Sequence, residues 1–254
     1  MVRTRTLRWR RVAAAALLAS ALSGCAGQIE AVKTGTVYPE TLALMEGDQM
    51  DRAAPILMRV YKADSSLEVW KQDRSGHYRL LKSYPICHFS GALGPKKAEG
   101  DHQAPEGFYR IRPGQMNPNS REYLAFNIGY PNAFDRSLGR TGDSLMVHGG
   151  CRSVGCYAMT NEQIEEIYGL AYEAFAGGQR EIQLQALPFR MTVANLDQHK
   201  SDPNAPFWDM LKAGSDLFEA TALPPNVAVC NQRYVFSPLG DDQDPGSCPR
   251  TAGL

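Results

Sequence analysis

One segment, His148 to Met159, concentrates the residues most able to do chemistry: a histidine, two cysteines and three glycines. An apolar run, Ser144 to Val147, leads into His148, and Cys156 stands shortly before a predicted helix. A thiolate is a strong nucleophile, and an imidazole can take the thiol proton and later return it to a leaving group. A helix N-terminus would lower the pKa of the thiol through its free N–H groups and positive potential. The segment therefore predicts nucleophilic catalysis, with Cys156 as nucleophile and His148 as base.

The small residues of this segment have predicted roles as well. Gly149 and Gly155 allow tight turns and the close approach of a substrate. Backbone N–H groups at Gly155 and Cys156, beside Ser153, are placed to form an oxyanion hole. The alternative is structural, because a buried cysteine is often simply a small apolar residue. Cys151 and Cys156 would then belong to a disulfide framework.

The N-terminus resembles the export signal of a bacterial lipoprotein. Five arginines precede an apolar run, Val12 to Leu22, that is too short to span a bilayer. The run ends in Leu-Ser-Gly-Cys25, which resembles a lipobox, and acylation of Cys25 would anchor the chain to a membrane. An ordinary secretory signal that happens to contain Cys25 is the alternative. Ala26, rather than an aspartate, follows the cysteine, which favours a periplasm-facing anchor in the outer membrane of a Gram-negative cell.

Cleavage before Cys25 would leave 230 residues, enough for one sizeable core with an appendage. Five of the 27 basic residues lie before Cys25, so the remainder carries 22 Lys and Arg against 27 Asp and Glu, a net charge of −5. A mildly acidic body argues against nucleic acid as a partner.

Apart from Cys25, five cysteines remain, an odd number that leaves at least one thiol free or paired between molecules. Cys230 and Cys248 flank a turn-rich tail that would fray without a staple, which predicts that they pair and leaves Cys87 for Cys151. A Cys87–Cys230 bridge and a reduced Cys151 are the alternatives. The spacings contain no Cys-x-x-Cys or His-x-x-x-His pair, so no metal site is expected.

The apolar patterns predict a mainly β chain of the α+β class. Strands are predicted at 56–61, 66–70, 78–81, 108–111, 123–128, 144–147, 182–187 and 227–236, the first three as an antiparallel meander. A capping box at Thr160 and Gln163 predicts a helix that ends at Gly177, and further helices are predicted at 40–45 and 206–220. The domain plan is a signal peptide (1–24), a tether (25–54), a catalytic domain (55–190) and a C-terminal extension packed on it (191–254).

The motif His-Gly-x-Cys-x-Ser-x-Gly-Cys-x-x-Met at 148–159 resembles the signature of the YkuD-type L,D-transpeptidases, in particular their compact YafK-like branch. The upstream stretches Leu93–Lys96 and Ala104–Ile111 resemble that branch too, and the likeness covers roughly residues 55–190. It implies an L,D-transpeptidase fold with antiparallel strands and a capped helix after the nucleophile. It also implies substrate-lining roles for Pro105, Gly107, Tyr109 and Arg152. Val154 and Ala158 depart from the commoner form of the family, which has His and Arg there.

The resemblance implies acyl transfer on peptidoglycan stem peptides, at the L-centre of a diamino acid such as meso-diaminopimelate, through a thioester on Cys156 and without a cofactor. An amine would resolve the thioester by transpeptidation, and water would resolve it by hydrolysis, which would release wall-attached proteins or D-amino acids. A non-catalytic wall-binding lipoprotein with a Cys151–Cys156 bridge is the remaining alternative. The expected partners are therefore stem peptides, wall-attached proteins in the hydrolytic case, and a membrane reached through Cys25.

Overall fold

The computed structural model describes residues 33–239 together with Met1 and Cys248. The helices are α1 (Pro39–Gly47), α2 (Ala133–Ser137), α3 (Asn161–Ala176), α4 (Val193–Gln198) and α5 (Ala205–Thr221). The strands are β1 (Ile56–Tyr61), β2 (Ser66–Gln72), β3 (Tyr78–Pro85), β4 (His88–Phe89), β5 (Gly107–Ile111), β6 (Met116–Asn117), β7 (Ala125–Asn127), β8 (Met146–His148), β9 (Tyr157–Ala158), β10 (Ile182–Leu187), β11 (Asn226–Cys230) and β12 (Arg233–Ser237). The proposed signal peptide and Cys25 lie outside the described residues. Within residues 33–239, no helix is both long enough and apolar enough to cross a bilayer.

The larger sheet has the strand order β3-β2-β1-β10-β5. Its first three strands form the predicted antiparallel meander, and every side chain of β1 is buried. β10 pairs with β1 in parallel, in the register Met58 to Leu184, and β5 lies antiparallel to β10. The α+β class with mainly β structure and antiparallel strands is confirmed, and the structure adds the parallel pairing of β1 with β10. Burial on both faces suits the parallel pairing of a largely apolar strand such as β1, in which Arg59 is the one charged residue.

The second sheet, in the order β4-β9-β8-β7-β6, carries the chemistry-bearing segment. β8 and β9 run parallel in the register Val147 to Tyr157 and His148 to Ala158. The residues between them, 149–156, are the glycine- and cysteine-rich loop of the sequence motif. Parallel neighbouring strands usually need a connection of a dozen residues or more. Here the connection is shorter, so the backbone of the loop has few conformations available to it.

The predicted strand over 227–236 is two strands. β11 and β12 form an antiparallel hairpin in the register Cys230 to Arg233. The two residues between them, Asn231 and Gln232, have φ of 50° and 60°. Two consecutive left-handed residues give the turn whose twist matches a hairpin. A Gln in place of the usual Gly at the second position left the turn without its sequence signal.

Helix α3 begins where its capping box predicts and ends just before Gly177, as expected. The Thr160 hydroxyl accepts from the Gln163 N–H at 3.3 Å, and the Gln163 side chain accepts from the Thr160 N–H at 2.9 Å. Its apolar face, with Ile164, Ile167 and Leu170 fully buried, closes the main core. α5 buries Trp208, Leu211 and other residues in a second core formed with β5, β10 and the hairpin. The C-terminal region therefore packs directly on the predicted catalytic domain.

The tether interpretation is wrong for residues 33–54. Val37, Met45 and Met50 are buried in the main core, and α1 lies against β3. The Thr36 N–H donates to the Glu165 carbonyl at 3.2 Å, which fastens the segment to α3. The segment is mostly polar, and its three buried apolar residues are far apart in sequence, so the pattern gave no sign of a core contribution. These three residues make the segment part of the folded domain.

Replacement of one anchor measures this contribution. Met45 is 1% exposed and its neighbour Leu44 is 46% exposed. Met45→Ala should lower the free energy of unfolding by about 2 to 5 kcal/mol, because it leaves a cavity in the core. Leu44→Ala should change it by less than about 0.5 kcal/mol. Urea unfolding followed by fluorescence gives both values, and equal losses would show that α1 does not belong to the core.

Candidate active site

The structure brings Cys156 and His148 to one face of the second sheet. The Cys156 sulfur accepts a hydrogen bond from the Met146 N–H at 3.4 Å and lies 4.0 Å from the Ser144 carbonyl. Cys156 therefore stands beside Met146, in continuation of the β8–β9 register. Side chains alternate along a strand, so Met146 and His148 point to the same face and Val147 to the other. Cys156, the predicted nucleophile, directly precedes β9, and His148, the predicted base, ends the parallel neighbour β8.

The expected helix N-terminus does not lie at the thiol. β9 separates Cys156 from α3, and the cap of α3 is formed by Thr160. Burial raises the pKa of the Cys156 thiol above its ordinary value of 9.0, while the Met146 N–H, the Ser153 hydroxyl and the Lys96 ammonium act to lower it. Burial therefore favours the protonated thiol, so a base that removes its proton would make the sulfur reactive.

His148 is oriented for that task. Its side chain is 6% exposed, and Nδ1 lies 2.6 Å from the Gly149 carbonyl oxygen. A carbonyl can only accept, so Nδ1 carries a proton and donates it to this contact. The Nε2 atom then keeps its lone pair and can accept a proton. The carbonyl of the next residue thus fixes the tautomer of the base.

The predicted oxyanion donors are both engaged. The Gly155 N–H donates to the Ser90 hydroxyl at 2.5 Å, and the Cys156 N–H donates to the Ser153 hydroxyl at 2.7 Å. The Ser153 hydroxyl in turn donates to the Cys156 carbonyl at 2.8 Å, which clamps the turn. An oxyanion could use these N–H groups only by displacing the two hydroxyls. In the free protein, serine side chains therefore satisfy both N–H groups.

Two of the loop glycines are required for different reasons. Gly155 has φ of 99°, a conformation that L residues rarely adopt. Gly149 has an ordinary φ, but a Cβ atom there would lie 2.7 Å from the Asn161 side-chain oxygen and from the Glu122 carbonyl. Gly155 therefore shapes the turn before the nucleophile, whereas Gly149 allows the loop to pack against α3.

A disulfide joins this loop to the edge of the sheet. Cys87 and Cys151 are bonded, with their Cα atoms 5.3 Å apart, and Cys230 and Cys248 are bonded with 5.6 Å between theirs. The predicted pairing is confirmed, and the Cys151–Cys156 bridge is wrong. Cys156 is the one free cysteine of the described residues. Cys151 has φ of 56°, and the disulfide together with its N–H bond to the Met159 carbonyl holds it there.

Three of the four predicted substrate-lining residues are buried. Tyr109 is 1% exposed, and its hydroxyl donates to the Glu106 carbonyl at 3.2 Å. Pro105 is buried and its carbonyl accepts from the Tyr157 hydroxyl at 2.5 Å. A Cβ at Gly107 would meet the Tyr234 hydroxyl at 2.7 Å. These three residues therefore occupy buried packing positions. Of the four, only Arg152 is exposed, on the loop between β8 and β9.

Sequence reasoning missed a buried ion pair behind the site. Lys62 and Glu106 are fully buried, with Nζ and Oε1 2.9 Å apart. Glu106 also accepts from the Gly94 N–H at 2.7 Å and from the Trp208 indole at 2.8 Å. Glu106 lies inside the family-like stretch 104–111, but no local pattern connects it with Lys62 or Trp208, which are far away in the chain.

The two disulfides allow a matched test of whether the Cys87–Cys151 bridge fixes the conformation of the loop between β8 and β9. The double variant Cys87→Ala/Cys151→Ala removes a bridge between residues 64 apart in sequence, and Cys230→Ala/Cys248→Ala removes one between residues 18 apart. The chain-entropy model gives losses of about 4 and about 3 kcal/mol in the free energy of unfolding. Only the first variant should also change the rate at which iodoacetamide alkylates Cys156. An unchanged rate in that variant would show that the loop keeps its geometry without the bridge.

Comparisons with known proteins agree with this arrangement. The model of the L,D-transpeptidase catalytic domain, YkuD, matches residues 56–177. YafK of Escherichia coli K12, a protein provisionally named an L,D-transpeptidase, is 44% identical over 203 residues, which cover 80% of this chain and 82% of YafK. The protein of the same name in E. coli O157:H7 matches to the same extent.

Two solved structures resemble the chain more distantly. A variant of the helical cell shape determining protein Pgp2 of Campylobacter jejuni is 24% identical with a TM-score of 0.43, and the match covers 68% of this chain and 63% of that one. Bd1075 of Bdellovibrio bacteriovorus is 20% identical with a TM-score of 0.36, over 67% of this chain and 63% of that one. The family model and the extent of the YafK match establish that the chain belongs to the YkuD family of L,D-transpeptidase catalytic domains.

Proposed function

We propose that the chain is a cysteine acyltransferase that acts on peptidoglycan stem peptides, at the carbonyl of the L-centre of their diamino acid. The observation that carries the proposal is the pairing of a free thiol, Cys156, with a base, His148, whose tautomer is fixed by the Gly149 carbonyl. The name of the E. coli relatives supports the same chemistry. The rival view, a wall-binding protein without activity, needed a Cys151–Cys156 bridge, and Cys151 is bonded to Cys87 instead.

The first half of the proposed reaction uses both groups. His148 Nε2 accepts the proton of the Cys156 thiol as the sulfur attacks the substrate carbonyl. The C–O double bond opens to a tetrahedral oxyanion, which the Gly155 and Cys156 N–H groups bind once it displaces the serine hydroxyls. Collapse breaks the C–N bond, and the imidazolium gives its proton to the leaving amine. The acyl group remains as a thioester on Cys156.

The second half reverses these roles with a new nucleophile. An acceptor amine gives its proton to His148 Nε2 and attacks the thioester, which releases the thiolate to be reprotonated. Water would do the same and yield a free carboxylate. Transpeptidation is the proposal that the name of the relatives supports, and hydrolysis is the outcome that the experiment must separate from it.

Two substitutions and one control test the assignment. Cys156→Ser and His148→Ala should each lower the turnover of purified muropeptides at least about 10³-fold, because nucleophile and base act as a unit. His77→Ala, an exposed histidine in the turn between β2 and β3, should behave like the wild type. Mass analysis of products, with and without a free amine, distinguishes a new amide from a hydrolysed peptide. Substantial conversion by Cys156→Ser would refute the nucleophile.

We propose further that the exported chain is lipid-anchored at Cys25 and faces the periplasm, with the outer membrane favoured. The support is the sequence alone: the basic start, the apolar run and the Leu-Ser-Gly-Cys25 cleavage pattern, followed by Ala26. Several acyl chains at one cysteine would give stable attachment where a single chain would be marginal.

Fractionation tests the anchor. Cys25→Ser should move the protein from the detergent-extracted membrane fraction to the aqueous fraction, because it removes the acylation site. Cys230→Ser serves as the control for the loss of a cysteine elsewhere in the chain. Membrane association that survives in Cys25→Ser would mean that something other than an acyl chain holds the protein there.

A further inference from the structure

A cleft formed by β5, α2 and the β11–β12 hairpin takes no part in the proposed reaction. Its volume is about 380 Å³, and neither Cys156 nor His148 lines it. Among the described residues, three arginines and no aspartate or glutamate line the cleft: Arg110 in β5, Arg112 just after it and Arg136 in α2. The chain from Cys25 onward is net acidic, so this lining is a local concentration of positive charge.

The arginines of the cleft have more hydrogen-bond donors than the protein uses. A guanidinium carries five N–H donors and no acceptor. Within residues 33–239, the Arg112 side chain has one polar partner, Glu181 at 3.5 Å, and the Arg136 side chain has one, the Pro131 carbonyl. Arg110 pairs with the same Glu181 at 2.5 Å. One carboxylate therefore faces two guanidinium groups, and Arg136 has no carboxylate partner in this part of the chain.

A buried hydroxyl group in the same lining has an unused donor. Tyr234, from β12, is 6% exposed and lines the cleft. Its oxygen accepts from the Asn132 side-chain N–H at 2.6 Å and from the Phe108 N–H at 3.3 Å. Both contacts use the oxygen as an acceptor, and among the described residues the hydroxyl hydrogen has no acceptor of its own. A buried donor without a partner is costly, so an oxygen atom of a ligand would complete this group.

The elements that carry the arginines are fixed to one another. The Asn132 side chain caps α2 by accepting from the Asp135 N–H at 2.9 Å, and it donates to the Phe108 carbonyl of β5 at 2.8 Å. Asp135 is fully buried and pairs with Arg140 at 2.8 Å. These contacts hold α2, and with it Arg136, against β5 in the free protein. The cleft is therefore formed before a ligand binds, which lowers the entropic cost of binding.

The lining suits an organic anion better than a simple ion. Guanidinium groups bind carboxylates and phosphates through paired N–H donors. Apolar side chains stand beside them, because Val227 and Val229 of the hairpin and Phe108 of β5 also line the cleft. Sites for small organic ligands usually span about 300 to 1,000 Å³, and the volume of this cleft lies in that range. The expected ligand therefore combines anionic oxygens with short apolar groups.

We propose that this cleft binds a short acidic peptide, whose carboxylates pair with Arg112 and Arg136 and accept the hydroxyl hydrogen of Tyr234. The choice of a peptide rests on the proposed function, because peptidoglycan stem peptides combine free carboxylates with small aliphatic side chains. No bond is made or broken in the cleft, so it is a binding site and not a second catalytic centre. Binding there lengthens the time that the chain stays on the wall polymer.

Calorimetric titration of the full chain with the tripeptide L-alanyl-γ-D-glutamyl-meso-diaminopimelate tests the inference. This probe carries several carboxylates and ends at the diamino acid, so Cys156 has no bond to break in it. Saturable binding that weakens with added salt is expected. Arg112→Gln and Arg136→Gln should each raise the Kd about tenfold, because each removes a charged donor. Arg74→Gln, an exposed arginine between β2 and β3 at the opposite edge of the sheet, should leave the Kd unchanged.

Further controls separate the cleft from the candidate active site. Alkylation of Cys156 with iodoacetamide should leave the titration unchanged, and thermal unfolding should show that the variants fold, since Arg112 and Arg136 are exposed. The inference is overturned if the tripeptide does not bind, if binding is lost on alkylation, or if it survives in Arg112→Gln/Arg136→Gln. Binding of inorganic phosphate as tightly as the tripeptide would also overturn it, because the cleft would then be a site for a simple ion.

The titration needs no turnover, so its failure and that of the proposed function can be told apart. A protein that binds the tripeptide but does not convert muropeptides would refute the proposed function and support the binding site. A protein that converts muropeptides but does not bind the tripeptide would refute the binding site alone.

Discussion

The buried ion pair between Lys62 and Glu106 is the interaction on which the site most depends. Lys62 follows the central strand β1, and Glu106 precedes β5. Besides each other, they bind both polar groups of Gly94, the Ala104 carbonyl and the indole of Trp208. Burial lowers the pKa of Lys62 and the charge of Glu106 opposes that shift, so each charge is tolerable only in the presence of the other. Loss of one partner of such a pair typically costs about 3 to 5 kcal/mol.

That pair determines where the loop over residues 90–105 can lie, and the loop supports Cys156, the proposed nucleophile. Its end, Pro105, accepts the hydroxyl of Tyr157, the residue that follows Cys156. Its beginning, Ser90, accepts the N–H of Gly155, the residue that precedes Cys156. The nucleophile is thus held on both sides by one loop, while the Cys87–Cys151 bridge holds the far end of its own loop. Trp208 extends the same network to α5, which explains why the C-terminal region packs on the body rather than standing apart.

The sequence predicted what local physics determines. The capping box of α3, the strands β2 and β5, the meander and the cysteine pairing follow from neighbours in the chain or from simple counting. Parallel pairing of β1 with β10 and the β11–β12 turn escaped prediction, since a partner more than a hundred residues away and a left-handed Gln232 leave no local signal. Within the site, the motif predicted Cys156 and His148 as the dyad, and that assignment stays a proposal. The pKa of Cys156 was not predicted, because the two-residue strand β9 stands where a helix start was expected.

The raised pKa of the nucleophile is consistent with the chemistry around it. Cys156 lies five residues from Cys151, whose bridge to Cys87 is exposed to solvent. A thiolate attacks disulfides, whereas a thiol does not, so a permanently ionised Cys156 would threaten the bridge that holds its own loop. Burial favours the protonated sulfur, and in the proposed reaction His148 takes the thiol proton when a substrate carbonyl arrives. The helix-terminus arrangement expected from the sequence would have favoured the thiolate at all times, and the short strand β9 avoids that by keeping Cys156 away from the start of α3.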